Sequence, residues 1–215
     1  MKYKNKESIF NFWFFPLNLP IQKITLKEER WAYKLSNIRK YRFCHSRCYT
    51  RIALAKIFNI DPLLVPLNAP PGKPPNLKKD FGFLSISHIP DGFFLGWSNY
   101  PIGVDIEKIN RSFDSEKLSD YLLSEDEKFF IKNGENKKAN EKFLAIWVMK
   151  EALVKYSKGN LLRDFNSWQI DLKNNKAKNI NKNLNIFSTY LKYKSWIIGI
   201  ASKEKISKPL KIQNI

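Results

Sequence analysis

The hexapeptide Ile102-Gly103-Val104-Asp105-Ile106-Glu107 has the alternation of a β-strand, and it decides how the rest of the chain is interpreted. Successive side chains of a strand point to opposite faces, so the three β-branched residues share one face and the two carboxylates share the other. The carboxylates then lie roughly 7 Å apart along the strand. They repel each other unless a cation or water separates them, so the pattern is compatible with a cation site and also with an edge strand bearing solvated acids.

Residues 143–155 are apolar almost all round a helical projection, which predicts a largely buried helix. Glu151 and Lys155 lie one turn apart on one face of this helix. A buried carboxylate is costly unless it is paired or bound to a metal, and this leaves two interpretations. Either Glu151 and Lys155 form an ion pair at the helix surface, or Glu151 joins Asp105 and Glu107 as a third oxygen ligand for a hard cation such as Mg²⁺.

Helical and strand-like segments alternate along the remainder of the chain. We predict strands at 9–15, 81–87, 93–97 and 195–201, and helical segments within 27–58, 116–131 and 140–156. Thr25 and Glu28 are spaced as a capping box for the first helix. The prolines of residues 66–75 predict an extended loop, and the polar tract 173–183 predicts a hairpin loop. Each half has a helix followed by strands, which indicates two similar α+β lobes.

The charge of the chain favours a polyanionic partner. It has 38 Lys plus Arg against 20 Asp plus Glu, a formal charge of +18, and such an excess attracts nucleic acid, phosphate-rich cofactors or acidic proteins. The basic residues are dispersed and follow no nucleic-acid-binding motif. A nucleic-acid-binding protein without catalytic activity is therefore the alternative function, and it leaves the ordered carboxylates unexplained.

The sequence predicts a cytoplasmic protein. We find no signal-peptide pattern at the N-terminus and no apolar run of the roughly 20 residues that a spanning helix needs. Cys44 and Cys48 are the only cysteines, which is too few for a disulfide framework and fits a reducing compartment. With His45 they offer three metal ligands at most and no fourth, so a structural zinc site is not expected.

Five ordered motifs resemble those of the 4′-phosphopantetheinyl transferases. IGVDIEKI at residues 102–109 and WVMKEALVK at 147–155 resemble the paired signature of that family. The other three are Gly72-Lys73-Pro74, Ser85-Ile86-Ser87-His88 and Leu123-Ser124-Glu125-Asp126-Glu127, which are similar to the family motifs G-K-P, N-I-S-H and F-S-x-x-E. Length and spacing resemble the larger, surfactin-synthetase-activating (Sfp) type more than the short trimeric type.

The resemblance implies an activity and a set of residues that perform it. The 4′-phosphopantetheine arm of coenzyme A would move to a serine of an apo acyl or peptidyl carrier protein, which is usually acidic, and 3′,5′-ADP would leave. Mg²⁺ would be held by Asp105, Glu107 and Glu151. Glu127 would take the serine proton, directly or through water, and Lys155 would contact the pyrophosphate and stabilise the departing 3′,5′-ADP. Glu151 would be catalytic together with these two residues, and Asp105 would also contact coenzyme A. Coenzyme A would also be bound by Arg47, Arg51, Lys73, Pro74, Ser87 and His88.

The resemblance also implies the architecture. The expected fold is α+β with two similar lobes, a pseudo-dimer within one chain, in which each small, mostly antiparallel sheet packs against a long helix. Residues 1–101 would form the N-terminal lobe for the nucleotide end of coenzyme A, and residues 102–215 the Mg²⁺-binding, catalytic lobe. A monomer is expected, with neither nucleic acid nor membrane as a partner. Two departures, Ser85 in place of the family asparagine and a reduced glycine-rich stretch at 158–160, leave all three carboxylates intact.

Overall fold

The computed structural model describes residues 7–111, 115–132, 139–206 and 211–213. They form a mixed α+β fold with antiparallel sheets, as predicted. The described residues up to Asn99, joined by the last strand, make one compact unit, and those from Tyr100 make a second. The similarity of the two lobes and their boundary at residue 101 stay predictions.

The first unit contains a four-stranded sheet and two helices. Its elements are β1 (Phe10–Pro16), α1 (Leu26–Tyr33), α2 (Asn37–Phe58), a 3₁₀ turn (Pro62–Leu64), β2 (Leu67–Asn68), β3 (Asn76–Leu77), β4 (Phe83–Ile89) and β5 (Gly92–Ser98).

The second unit contains a five-stranded sheet and four helices. Its elements are β6 (Ile102–Lys108), α3 (Ser115–Leu122), α4 (Glu125–Lys132), α5 (Ala139–Tyr156), α6 (Leu161–Asp164), a 3₁₀ turn (Phe165–Ser167), β7 (Trp168–Asp171), β8 (Lys176–Asn179), β9 (Leu184–Tyr193) and β10 (Trp196–Ser202). The chain then returns to the first unit as β11 (Ile212–Gln213).

The sheet of the first unit packs against α2. Its strand order is β11-β1-β5-β4, antiparallel except for the parallel pair β1–β11. Leu54 and Tyr49 of α2 share one apolar cluster with Phe15, Leu95 and Trp97 of the strands. The predicted capping box starts α1, where Thr25 N donates to Glu28 Oε2 at 3.0 Å and Glu28 N donates to Thr25 Oγ1 at 3.4 Å. The helical and strand predictions for this unit are confirmed to within a few residues.

The sheet of the second unit packs against α5. The strand order is β6-β10-β9-β8-β7, and every pairing is antiparallel. Met149 and Leu153 of α5 lie in one apolar cluster with Trp168, Ile186 and Ala201 of the sheet. Because one face of the sheet is buried under α5, this helix determines where its own polar side chains meet the strands.

Two predictions for the second unit need correction. The helix predicted at 116–131 is two helices. The helical conformation is interrupted at residues 123–124, and α4 starts with its own cap at Ser124. The tract 173–183 is not only a loop, since it contains β8. In β8 the side chains of Ala177 and Asn179 are buried, and Lys176 and Lys178, which alternate with them, are exposed, so the strand is amphipathic although its composition is polar. No helix of the described ranges has the length and apolar content to cross a membrane.

Candidate functional site

Three carboxylates converge where β6 meets α5. Asp105 and Glu107 share a face of β6, and Glu151 comes from the helix that covers that face. One oxygen from each side chain lies within 4.8 Å of the others. The sequence predicted this group, and the structure brings its three members together.

Two glycines let α5 approach the sheet closely enough for this contact. A Cβ atom built on Gly199 of β10 would overlap the carbonyl oxygen of Val148, and one built on Gly103 of β6 would overlap that of Ala152. Both glycines are on the face that carries Asp105, because Gly199 pairs with Asp105 and Gly103 lies two residues before it. The small residues in these strands therefore have a packing role, which the sequence analysis did not assign to them.

Asp105 is nearly fully buried, at 2% exposure. The sequence analysis expected an acidic face opposite an apolar one, but the helix covers the acidic face as well. Lys155 Nζ lies 2.6 Å from Asp105 Oδ1. Lys155 thus reaches from its helix to the strand, which differs from one of the two interpretations of the sequence, an ion pair between Glu151 and Lys155 along the helix. Arg111, which the sequence analysis missed, forms an ion pair with Glu107.

Negative charge dominates the cluster in spite of these two cations. Burial raises the pKa of Glu151 to about 8, with the charge of Asp105 as the next cause, and Lys155 opposes the shift. Burial also raises the pKa of Glu107, again with help from Asp105. A carboxylate whose ionised form is disfavoured in this way gains from a divalent cation beside it. Carboxylate oxygens are side-chain ligands that suit Mg²⁺, so the residues fit such an ion.

Glu127 lies in a buried ion pair. It is 1% exposed, and its Oε2 is 2.8 Å from Lys150 Nζ. The carboxylate also accepts from Ser124 N at 2.9 Å and from Ile170 N of β7 at 3.0 Å. Lys150 donates in addition to the carbonyl of Leu122 at 3.1 Å, and burial lowers its pKa. The role of Glu127 as a base stays a prediction, and these partners give the side chain a structural role.

Lys150 is the principal residue that the sequence analysis missed. It is 1% exposed and lies directly before Glu151 in an apolar helix. A lysine in such a run carries the same signal as the glutamate, since a buried charge requires a partner. The spacing of Ser124 and Glu127 is likewise that of a capping box, a signal that the resemblance to F-S-x-x-E obscured.

Arg51 is also held by protein partners. Its Nε and Nη2 donate to the two carboxylate oxygens of Glu28 at 2.8 and 3.1 Å, and Nη1 donates to the carbonyl of Val65 at 2.9 Å. The side chain is 3% exposed. This arrangement does not favour the predicted contact between Arg51 and a phosphate of coenzyme A, which stays a prediction.

Arg47 contacts the segment that leads into Gly72-Lys73-Pro74. Its Nε donates to the carbonyl of Ala69 at 2.8 Å, and its guanidinium lies 4.5 Å from the centroid of the Phe43 ring. Burial lowers the pKa of Arg47 to about 10. Lys73 and Pro74 are exposed on the loop between β2 and β3. The structure therefore connects Arg47 to this loop.

Ser87 and His88 lie next to each other on β4. Ser87 is buried, like the three residues before it, and His88 is exposed. The His88 ring is tilted over Phe93 at 5.8 Å between centroids. The structure places both in the sheet of the first unit, and their predicted contact with the nucleotide is not tested by these distances.

Residues 101–201 match the family model of the 4′-phosphopantetheinyl transferase superfamily. The matched range contains the carboxylate cluster, Glu127, Lys150 and Lys155. The match supports phosphopantetheine transfer as the general activity of a transferase that uses coenzyme A and a carrier protein. No curated protein matches the chain.

Proposed function

We propose that the protein transfers the 4′-phosphopantetheine arm of coenzyme A to a serine of an apo acyl or peptidyl carrier protein, as the larger Sfp-type enzymes do. The observation that carries the proposal is the convergence of Asp105, Glu107 and Glu151 inside the matched domain. A hard cation held by three carboxylates suits a reaction at a pyrophosphate.

The proposed metal ligands are the three carboxylates of the cluster. When bound there, Mg²⁺ would neutralise the charge that develops on the pyrophosphate as the phosphoanhydride bond breaks. Glu151 comes from a helix and the other two from a strand, so the ligands are held by regular structure that packs closely. Such rigidity limits the rearrangement that metal binding would need.

Lys155 has two uses in this proposal. In the present structure its ammonium neutralises part of the charge of Asp105, and its side chain is 31% exposed, so it remains accessible to a ligand. An ammonium at this position would donate to pyrophosphate oxygens and stabilise the departing 3′,5′-ADP.

The transfer step is a displacement at phosphorus. The serine oxygen of the carrier forms a bond to the β-phosphorus, the bond from that phosphorus to the bridging oxygen breaks, and 3′,5′-ADP leaves with the electron pair. The serine proton must pass to a base. The resemblance assigns this role to Glu127, directly or through water, although Glu127 is already paired with Lys150.

The remaining predicted contacts concern the nucleotide end of coenzyme A. We assign them to Arg47, Lys73, Pro74, Ser87 and His88 of the first unit. The contact of Arg47 with Ala69, just before the Gly72-Lys73-Pro74 loop, supports this assignment for Arg47 and Lys73. Arg51 is the weakest member of the predicted set because its donors already serve Glu28 and backbone carbonyls.

The formal charge of +18 also supports an acidic protein substrate. Complementary charge raises association rates between proteins, and salt screens this effect. We therefore propose an acidic carrier as partner, with modification that slows as ionic strength rises.

Intact-protein mass spectrometry tests the proposal. Apo acyl and peptidyl carrier proteins are incubated with the protein, coenzyme A and Mg²⁺, beside samples with EDTA and with the Asp105→Ala variant. We expect the carrier to gain one phosphopantetheine, and we expect the gain to disappear in both control samples. No gain on any carrier, with circular dichroism showing a folded protein, would refute the transferase and favour the nucleic-acid-binding alternative.

A further inference from the structure

A glutamate in a capping box holds the long helix of the first unit. Glu28 lies in the capping box of α1, where its Oε2 accepts from Thr25 N at 3.0 Å. The same oxygen accepts from Arg51 Nε of α2 at 2.8 Å. Glu28 is 1% exposed, so this contact joins two helices inside the unit.

The second unit contains the same set of contacts. Glu127 lies in the capping box of α4, where its Oε2 accepts from Ser124 N at 2.9 Å and pairs with Lys150 Nζ of α5 at 2.8 Å. Its other oxygen accepts from Ile170 N at 3.0 Å. Glu127 therefore joins α4, α5 and β7 in the interior of the unit.

The two sets have the same spacing along the chain. Ser124, Glu127 and Lys150 each lie 99 residues after Thr25, Glu28 and Arg51. The ends of the two long helices follow the same offset, with left-handed residues at Asn59 (φ 53°) and Lys158 (φ 52°). The next short helical turns start with Asp61 and Asn160, whose side-chain oxygens accept from Leu63 N and Leu162 N. Equivalent contacts at one constant offset indicate a repeated architectural element.

The units differ in the residue that follows the basic member of the pair. Ile52 follows Arg51, whereas Glu151 follows Lys150. The carboxylate cluster found among the described residues belongs to the second unit. Since the glutamate–cation pair also occurs next to an isoleucine, its contacts do not depend on catalysis.

We propose that Glu127 and Lys150 are positioning residues for Glu151, rather than Glu127 being the base. Adjacent residues of a helix point about 100° apart, so anchoring Lys150 to Glu127 fixes the rotation of α5 about its axis. That rotation determines whether the Glu151 carboxylate reaches Asp105 and Glu107. The inference rests on the proposed function because it requires a metal at the cluster.

Metal binding without substrate tests the inference. Isothermal titration of Mg²⁺ and Mn²⁺ into the full chain is compared for wild type, Glu127→Gln, Lys150→Met and the double variant. Outer-shell partners of metal ligands typically contribute 10–100-fold in affinity, so we expect each single variant to lose about tenfold. Because the two residues act as one unit, the double variant should lose no more Mg²⁺ affinity than the single variant that binds Mg²⁺ more weakly.

Two further variants separate positioning from general loss of structure. Glu28→Gln breaks the equivalent pair of the first unit, so its urea midpoint should fall as in Glu127→Gln while its Mg²⁺ affinity stays within about twofold of wild type. Lys150→Arg reproduces the residue that pairs with Glu28 and should retain Mg²⁺ affinity. Circular dichroism checks folding, and if Lys150→Met does not fold, Glu127→Asp, which keeps the charge and shortens its reach, takes its place.

The outcomes separate this inference from the proposed function. If wild type binds no Mg²⁺, the metal site and the inference both fail. If wild type binds Mg²⁺ and the Glu127 and Lys150 variants bind it equally well, only the inference fails. In that case loss of transfer in Glu127→Gln, with no equivalent loss in Lys150→Met, would identify Glu127 as the base.

Discussion

Asp105 of β6 and Gly199 of β10 lie directly opposite each other in the antiparallel ladder. The missing side chain at Gly199 leaves room for the backbone of α5 at Val148, one turn before Glu151. The carboxylate of the helix reaches the carboxylate of the strand because a glycine is the neighbour of that strand carboxylate. Packing and site geometry are therefore coupled at this position.

Gly199→Ala should separate the helix from the strand. The new methyl group would overlap backbone atoms of Val148 and Met149, which cannot rotate away. Overpacking of this kind costs about 1–3 kcal/mol, and Mg²⁺ affinity should fall at least tenfold because Glu151 moves with α5. Urea unfolding and metal titration measure the two effects. Ile198→Val, next in β10 on the other face of the strand, is the control and should lose about 0.5–1.5 kcal/mol with unchanged Mg²⁺ affinity.

Lys155→Met should change metal binding and transfer in opposite directions. The ammonium lies 2.6 Å from Asp105 Oδ1 and repels a cation at the cluster. Without it, Mg²⁺ affinity should rise roughly threefold to tenfold, or ~1 kcal/mol. The rate of carrier modification should fall about a hundredfold, the loss typical of removing one donor to a developing anion. Titration and mass spectrometry measure the two quantities. Lys178→Met, at an exposed position of β8, should change neither, and weaker Mg²⁺ binding in Lys155→Met would contradict the charge argument.

The sequence predicted those features that depend on short spacings. The capping box of Thr25 and Glu28 spans four residues, and the alternation around Asp105 spans six, so local geometry determines both. The third carboxylate, Glu151, was found because a charge in an apolar helix requires a partner. The roles of these residues came from the resemblance and not from the spacing.

Contacts between distant segments could not be predicted. Arg51 is well suited to bind a phosphate, but its Nε and Nη2 donate instead to the carboxylate of Glu28, 23 residues earlier. Which anion an arginine contacts depends on how α1 and α2 pack, and the hydrophobic pattern of each helix does not specify that. The break between α3 and α4 could have been predicted from the sequence, since Ser124 and Glu127 have capping-box spacing.

Stability should depend on the charge of His45. The side chain is fully buried against Tyr41, Tyr49 and Phe93, and burial lowers its pKa, with partial opposition from the Pro16 backbone. The unfolded chain therefore binds a proton first, near pH 6.5. The contribution of His45 to the free energy of unfolding should therefore be constant above this pH and should fall below it, by up to about 1.4 kcal/mol per pH unit.

Urea unfolding of wild type and His45→Leu between pH 5 and 8 measures this effect. The other titratable groups nearby are Cys44, Cys48 and the two tyrosines. Burial raises the pKa values of Cys44, Cys48 and Tyr49 above their ordinary values, which already exceed this range. The difference in unfolding free energy between the two proteins should therefore change with pH only below about 6.5. A difference that is the same at pH 5 and pH 7 would show that His45 does not titrate on unfolding.

Arg51→Met should reveal whether Arg51 holds the fold or the coenzyme. The guanidinium is 3% exposed and its partner Glu28 is 1% exposed, and removal of one member of such a pair leaves the other buried and uncompensated, at a cost of about 3–5 kcal/mol. We expect a loss of this size in urea unfolding. Arg39→Met, at an exposed position of α2, should stay within about 0.5 kcal/mol of wild type. The opposite outcome is that Arg51→Met unfolds like wild type while the KM for coenzyme A rises tenfold or more. Arg51 would then contact the coenzyme, and the Arg51–Glu28 pair would exist only in the protein without coenzyme A.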